Sequence, residues 1–386
     1  MRYLYLLLMP LVIYSQNIRE SKLHALLLQQ EKSVLESELH KDAWIAPLIL
    51  SADYYKSNIN DLDNDESMSI GLNLSQDIYR SGGIGYEKEQ AGIEKRLSEK
   101  IFKTQLQQIN ITVYEYVLIL RVIDLKLKQL NFSIENKKIE ILSKQVRYNK
   151  GLIDISELDT SMLELSSLKN EIESLDTEKL SYTKELRFLS DKPYTKIKMK
   201  NFSLLSRQDF LEKNAVHIKR DEVVHAQLSK KIIASSYLPK VSVVANYKYE
   251  DSKYRKNIRN DRTNWNYGFN ISMPIDYNEK KTKEIGQLEL LLSESKYQNH
   301  LDDENTFYSS VIAEIKLLRN RVGHHKKAIV TYDNLIDDVN KLYINGLKTK
   351  DDLTILRNTK ESKRQDILID TINIKMSYLK LIKRLY

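Results

Sequence analysis

The side chains of this 386-residue sequence that could do chemistry are few, and their spacing suits it badly. His324 and His325 are adjacent, so on a helix they point apart and make a poor metal pair, and the remaining His are scattered. Gly82-Gly83-Ile84-Gly85 follows a strand and opens a helix, as phosphate loops do. No Lys-Ser/Thr follows it and no acidic residue sits in a βαβ context, so a strand-to-helix bend explains these glycines more simply. Asp351-Asp352 is a pair of acids suited to proton transfer, yet only turn neighbours surround it. With 0 Cys, disulfides, thiolate zinc sites, thiol catalysis and a lipidated N-terminal Cys are excluded. The expectation is a protein that is not an enzyme, with no cofactor and no metal site. Lys+Arg 61 against Asp+Glu 53 leaves +8, but the signs are interspersed, which fits solvated helix faces rather than nucleic-acid binding.

What would position any of these residues is a set of very long elements. Only 10 Gly and 5 Pro punctuate the chain. Arg2 followed by the apolar run Leu4 to Ile13 and then Tyr14-Ser15-Gln16 reads as a signal peptide over residues 1–16, with an N-terminal buried strand as the alternative. No other stretch approaches the ~20 apolar residues of a transmembrane helix. Asn17 to Trp44 reads as a helix ended by Pro47. Leu48, Leu50, Ala52 and Tyr54 then alternate with polar or opposite-face residues, and so do Met68, Ile70, Leu72 and Leu74 beyond a polar loop from Asn58 to Ser67. Gly85 to Lys150 reads as one uninterrupted helix, Gly151 as a turn, and Ile153 to Ser190 as a helix with a heptad seam at Leu165, Leu168, Ile172 and Leu175.

The same order then returns. Asn214 to Tyr237 is helical and stops at Pro239. Val241, Val243, Ala245, Tyr247 and Tyr249 form one strand face, and Trp265, Tyr267, Phe269, Ile271 and Met273 another. A helix from Lys280 to Asn345, a turn at Gly346-Leu347 and a last helix to the C-terminus complete it. The division is 17–193 for the first repeat, 194–213 for a linker and 214–386 for the second repeat. In each repeat the two shorter helices together match the length of the long one, which implies end-to-end stacking into a cylinder ~100 Å long at ~1.5 Å per residue.

Four strands of about ten residues, each with one strongly apolar face and with Tyr and Trp beside it, fit transmembrane β-strands. Four cannot close a barrel, and an open edge is not viable in lipid, so two copies giving 8 strands or three giving 12 are required. The alternative is a small soluble β-domain with the same aromatics as its core.

Two turns carry the most specific pattern: Tyr148-x-x-Gly151-Leu152-x5-Leu158 and Tyr343-x-x-Gly346-Leu347-x5-Leu353. With Leu74-Ser75-Gln76 and Gly82-Gly83, the mature chain resembles the TolC family of outer-membrane efflux proteins. The resemblance implies a mainly α fold with a membrane β-barrel contribution: long antiparallel helical hairpins forming an α-barrel, and four β-strands per protomer of a trimeric 12-stranded barrel. It also implies a homotrimer in outer-membrane lipid that extends into the periplasm of a bacterial cell, with a periplasmic membrane-fusion adaptor and an inner-membrane transporter as partners. Export would be passive and driven by that pump.

By the same resemblance, Gly151, Leu152, Gly346 and Leu347 are adaptor-docking positions at the periplasmic tip. Tyr343, Lys348, Glu157 and Asp352 would form a pore gate, with Asp352 in an acidic ring and Ile355 where some relatives carry a second acid. The plain alternatives are a helix turn with Leu packed inward and an ordinary charged helix face. A periplasmic or secreted coiled-coil scaffold or adaptor is the competing function. Adaptors need compact β-rich domains, which four isolated strands do not supply.

Overall fold

The computed structural model describes residues 18–59, 62–199, 202–213, 216–254 and 258–385; the expected signal peptide lies outside them. The elements run α1 (Glu20–Asp42), β1 (Ile49–Ile59), β2 (Leu62–Tyr79), α2 (Gly83–Asn149), α3 (Ile155–Leu189), α4 (Arg207–Lys213), α5 (Val216–Ser236), β3 (Lys240–Tyr254), β4 (Ile258–Ser272), α6 (Glu279–Ile344) and α7 (Lys350–Arg384). The helix ends fall within a few residues of the boundaries that Pro, Gly and polarity dictate. Helices α2 and α6 run for 67 and 66 residues without a break. Among the described residues no helix is long and apolar enough to cross a membrane.

The strands are longer than their apolar alternation. The segment expected as a polar loop, Asn58 to Ser67, is strand up to Ile59 and again from Leu62. Once a hairpin ladder is started, each further pair satisfies backbone groups whatever the side chains are. Here the polar ends also gain cross-strand ion pairs, Lys56 to Glu66 at 2.9 Å and Arg259 to Asp251 at 2.5 Å. All four strands form one antiparallel sheet in the order β1-β2-β3-β4, so the hairpin of one repeat pairs with that of the other through β2 and β3.

Contacts divide the chain into two compact units that cut across the repeats. One comprises Leu28–Phe102 and Val216–Leu301, which include the sheet. In it, Glu94 of α2 holds His40 of α1 at 2.7 Å and His225 of α5 at 3.1 Å, and Lys100 holds Asp221 at 2.6 Å. The Gln76 side chain fastens the α1–β1 link to β2, accepting from the Ala46 N–H and donating to the Trp44 carbonyl. The glycine run reads as the sequence implies. Gly82 has φ +88°, and a Cβ on Gly83 would stand 2.7 Å from Ser235 Oγ, so the strand-to-helix bend passes too close to α5 for a side chain.

The other unit comprises Met1–Leu27, Lys103–Ala215 and Asp302–Tyr386. Its core is built on one stripe of α2 (Leu106, Val113, Val117 and Leu120), with Leu186 and Leu379 packed on Val113 and its neighbours. A second cluster seats the fully buried Phe210 against Val311, Ile315 and Leu381. Phe210 lies in α4, inside the stretch 194–213 that reads as a linker, and Ile197 of the same stretch is also buried. At the start of α1 the Arg19 N–H donates to the Leu189 carbonyl at 2.7 Å, so the beginning of α1 meets the end of α3.

Candidate functional site

Each turn motif resolves into a cap whose geometry explains every residue in it. Where α2 ends, the Gly151 N–H donates to the Tyr148 carbonyl at 2.8 Å and the Leu152 N–H to the Arg147 carbonyl at 2.9 Å. Where α6 ends, Gly346 donates to Tyr343 at 3.0 Å and Leu347 to Leu342 at 2.9 Å. These paired bonds are a Schellman cap, which needs a left-handed residue just beyond the helix. Gly151 and Gly346 supply it with φ +69° and +72°. A Cβ at either glycine would meet nothing within 4 Å among the described residues. The following leucines stand outward, Leu152 65% and Leu347 71% exposed, whereas Leu158 and Leu353 are buried inside the hairpins. Tyr148 and Tyr343 occupy the same place in the two caps and are similarly exposed, at 41% and 42%.

The gate candidates separate once their partners are counted. Glu157 and Asp352 are counterparts, each the third helical residue after an N-cap, Asp154 and Thr349 respectively. Asp352 completes a capping box: its carboxylate accepts from the Thr349 N–H and Oγ1, both at 2.9 Å, while its own N–H donates to Thr349 Oγ1 at 3.2 Å. The Thr349 backbone N–H and hydroxyl hold the Asp352 carboxyl below its ordinary range. Asp154 makes no such side-chain bond. Among the described residues, the Glu157 carboxylate and the Lys348 ammonium have neither a hydrogen bond nor an ion pair. They stand on separate hairpins and are not joined within one chain.

Sequence reasoning missed what lies behind the tips. In the first hairpin Lys144 of α2 reaches Ser161 of α3 at 2.8 Å and Glu140 at 2.9 Å, and Lys137 bridges Glu140 and Glu164 at 2.5 and 2.6 Å. The Lys137 and Lys144 ammoniums hold the Glu140 carboxyl down to about 2. The i,i+4 spacing of Glu140 and Lys144 is the sequence signal for it. At the positions matching Glu140, Lys144 and Ser161 the second hairpin has Leu335, Val339 and Leu356, and at those matching Lys137 and Glu164 it has Tyr332 and Thr359. That hairpin is tied instead by Lys360 to Asp333 and by the buried Asp370, from which His325 lies 3.5 Å and the exposed Arg321 3.0 Å. Asn358 of α7 donates to Asn136 of α2 at 2.9 Å. His325 turns toward these acids while His324 lines a separate trough with Glu115, Leu317 and Met376. Among the described residues no group of three or more His, Cys, Asp or Glu is set to hold a metal.

The sheet's register gathers most of the apolar side chains on one face, although Gln76 shares that face and Ile49 and Val244 stand on the other. On one face lie the rows Leu50, Leu72, Tyr247, Trp265 and Ala52, Ile70, Tyr249, Thr263. Leu74, Ala245, Tyr267 and then Val243, Phe269 and Val241, Ile271 extend that face toward the helices. On the other face stand Asn73, Asn246, Asn266, with Asn246 bonded to Asn266 at 2.8 Å, and Ser51, Gly71, Lys248, Asn264. From Val241 to Tyr249 the apolar band rises ~27 Å along the strand, or ~20 Å if tilted by ~40°, comparable with the ~25 Å band of a membrane barrel. Much of it is open in the chain, with Trp265, Tyr267, Phe269 and Ile271 each 70% exposed or more.

This fold is that of bacterial outer membrane channels. The chain is similar to the Campylobacter jejuni CmeC outer membrane channel, with TM-score 0.76 and 15% identity over 97% of this chain and 84% of that one. It is similar also to the outer membrane protein VceC from Vibrio cholerae (0.72 and 15%, over 95% and 92%) and to the open state of the Neisseria gonorrhoeae MtrE outer membrane channel (0.74 and 13%, over 96% and 86%). No protein-family model matches the sequence, and no curated protein does.

Proposed function

We propose that this chain is the outer-membrane duct of a tripartite efflux or type I secretion system, a passive conduit that performs no chemistry of its own. The observation that carries the reading is the sheet: four strands present one mainly apolar face and one Asn- and Ser-rich face, and among the described residues the outer edges of β1 and β4 have no partner. Unpaired edges are not tolerated in lipid. Joining β4 of one copy to β1 of the next removes them, and three copies give the 12 strands of a closed barrel with the polar face inward. The helices beside the sheet support this assembly. Leu28, Leu35 and Leu39 on α1 and Ile285, Leu288 and Leu292 on α6 are exposed stripes at helical spacing that a neighbouring copy would cover.

The homotrimer stands in the outer membrane and reaches into the periplasm after export by the signal peptide. Its two hairpin turns meet a periplasmic membrane-fusion adaptor, with Gly151 and Gly346 giving close backbone approach and Leu152 and Leu347 serving as apolar knobs. An inner-membrane transporter supplies the energy. Glu157 and Lys348, uncommitted within the chain, pair between neighbouring hairpins to close the tip, with Tyr343 beside them. Asp352 lies at the same constriction but primarily caps α7. Fractionation tests the core of this reading. The wild-type chain should sediment with outer membranes, need detergent for extraction and run as an oligomer on unheated gels; release by osmotic shock as a soluble species would refute it.

A further inference from the structure

The junction between strands and helices concentrates a chemistry that the duct does not require. Four lysines there lie over aromatic rings: Lys88 over Trp44 at 4.2 Å, Lys231 over Tyr86 at 5.5 Å, Lys283 over Tyr237 at 5.6 Å and Lys281 over Tyr277 at 5.9 Å. Beside them, between α5 and the start of α6, opens a groove of about 580 Å³ lined by Lys230, Asp276, Tyr277, Lys280, Lys283 and Glu284. Its charges are only partly compensated. Lys283 is paired with Glu279 at 2.5 Å, and one oxygen of Asp276 accepts from the Asn278 N–H at 2.9 Å. Among the described residues, the ammoniums of Lys230 and Lys280 and the carboxylate of Glu284 have no ion-pair partner. The groove therefore offers two free cations together with acid oxygens.

The groove also sits at the end of an apolar track. From Trp265 onward every second residue of β4 and its continuation, Trp265, Tyr267, Phe269, Ile271, Met273 and Ile275, is apolar and exposed, and the track reaches 98% exposure at Ile275 and 91% at neighbouring Tyr277. An apolar strip that ends at mixed charges and aromatic rings has the profile of a bilayer boundary, where rings and lysine stems sit at headgroup level. A purely anionic headgroup would meet the uncompensated Glu284 and Asp276 oxygens, and a free phosphate would leave the strip in water. A headgroup carrying a phosphate and a primary ammonium satisfies both signs.

Building on the duct reading, we propose that this groove seats a zwitterionic phosphatidylethanolamine headgroup. The phosphate lies against Lys230 and Lys280, the ammonium against Asp276 and Glu284, and the acyl chains lie along the outer face of β4. One lipid per chain then anchors the strand–helix junction at the inner boundary of the membrane and seals the edge where β4 enters α6.

The test uses the full-length chain purified from membranes in mild detergent, with native mass spectrometry counting retained lipid during titration with palmitoyl-oleoyl phosphatidylethanolamine, phosphatidylcholine or phosphatidylglycerol. Wild type should retain phosphatidylethanolamine preferentially, one per chain. Lys230→Ala with Lys280→Ala should weaken that binding by roughly tenfold or more, since each lysine near the headgroups contributes a factor of about five. Lys192→Ala, far along the sequence in the other unit, should leave it unchanged. Equal retention in the double variant overturns the proposal, as does wild-type preference for phosphatidylglycerol or protection of the groove lysines from acetylation by a second copy with no lipid bound. A wild-type chain that never partitions into membranes refutes the duct itself, whereas a membrane-embedded wild type without phosphatidylethanolamine preference refutes only the lipid site.

Discussion

Gly346 separates what a turn needs from what a partner needs. Its φ of +72° is left-handed, and a Cβ there meets no atom of the described residues within 4 Å. The intrachain cost of Gly346→Ala is therefore backbone strain alone, about 1–2 kcal/mol. Asn tolerates the left-handed region and ends helices in the same cap, so Gly346→Asn should cost less than Gly346→Ala. If the turn only has to be a turn, Asn should support export better than Ala. If the adaptor packs against the bare glycine, Asn should fail as badly as Asp, because its side chain occupies the space the partner requires. The expected outcome is the second: Gly346→Asn and Gly346→Asp form oligomers with a melting temperature within several degrees of wild type, yet export falls at least tenfold, equivalent to ~1.4 kcal/mol of lost docking. The assay is substrate accumulation in cells carrying the cognate pump and adaptor but no other channel. It is complemented by crosslinking from Leu347→Cys to the adaptor. Wild-type export in the Asn and Asp variants of both Gly346 and Gly151 would sink the docking assignment.

Four further outcomes follow from the same geometry. Lys348→Ala combined with Glu157→Ala should raise single-channel conductance in a planar bilayer, and unchanged conductance counts against a closing pair. Asp352→Ala removes the capping box and should cost about 0.5–2 kcal/mol of local stability, read as faster hydrogen exchange in the first turn of α7. Because the folded Asp352 and Glu140 carboxyls lie below their ordinary values of 3.8 and 4.5, the stability they add is present above those values and is lost as pH falls through the folded ones. Chemical shifts should show Glu140 ionised at pH 4 and protonating only near 2; an inflection near 4.5 contradicts the Lys137–Glu140–Lys144 network. Phe210→Ala should cost about 3–5 kcal/mol, seen as a lowered melting temperature; a loss below ~1 kcal/mol would mean that α4 is not part of the core.

The two helical turns were legible residue by residue, since a Gly in the left-handed cap and a Leu after it leave a local signature that tertiary packing does not alter. The polar hairpin ends were not. Asn58 to Ser67 carries loop composition, and only the ladder to the neighbouring strand keeps its described residues, up to Ile59 and from Leu62, extended. Phe210 and Ile197 looked like linker residues because a short segment has too little periodicity to declare a buried face, and their burial depends on helices far away in the chain. For the site, the sequence named Glu157, Lys348 and Asp352 together, whereas hydrogen bonds reveal that Asp352 is committed to Thr349 and the other two are not.

What the sequence determined by itself is of short range: the type and order of the long helices and the four strands, the twofold repeat, the two glycine turns, the apolar strand faces and the absence of thiol chemistry. Periodicity and capping act over a few residues, so they are written locally. Only the tertiary structure decided that the two hairpins join through β2 and β3 into one sheet with most of the apolar side chains on one side. It also decided that the first hairpin is fastened by charges where the second has leucines and valine, and that lysines from α5 and α6 converge on one groove. The β2–β3 register joins residues as far apart as Leu72 and Tyr247, the other partnerships cross from one element to another, and no local pattern encodes which distant neighbour a side chain will meet.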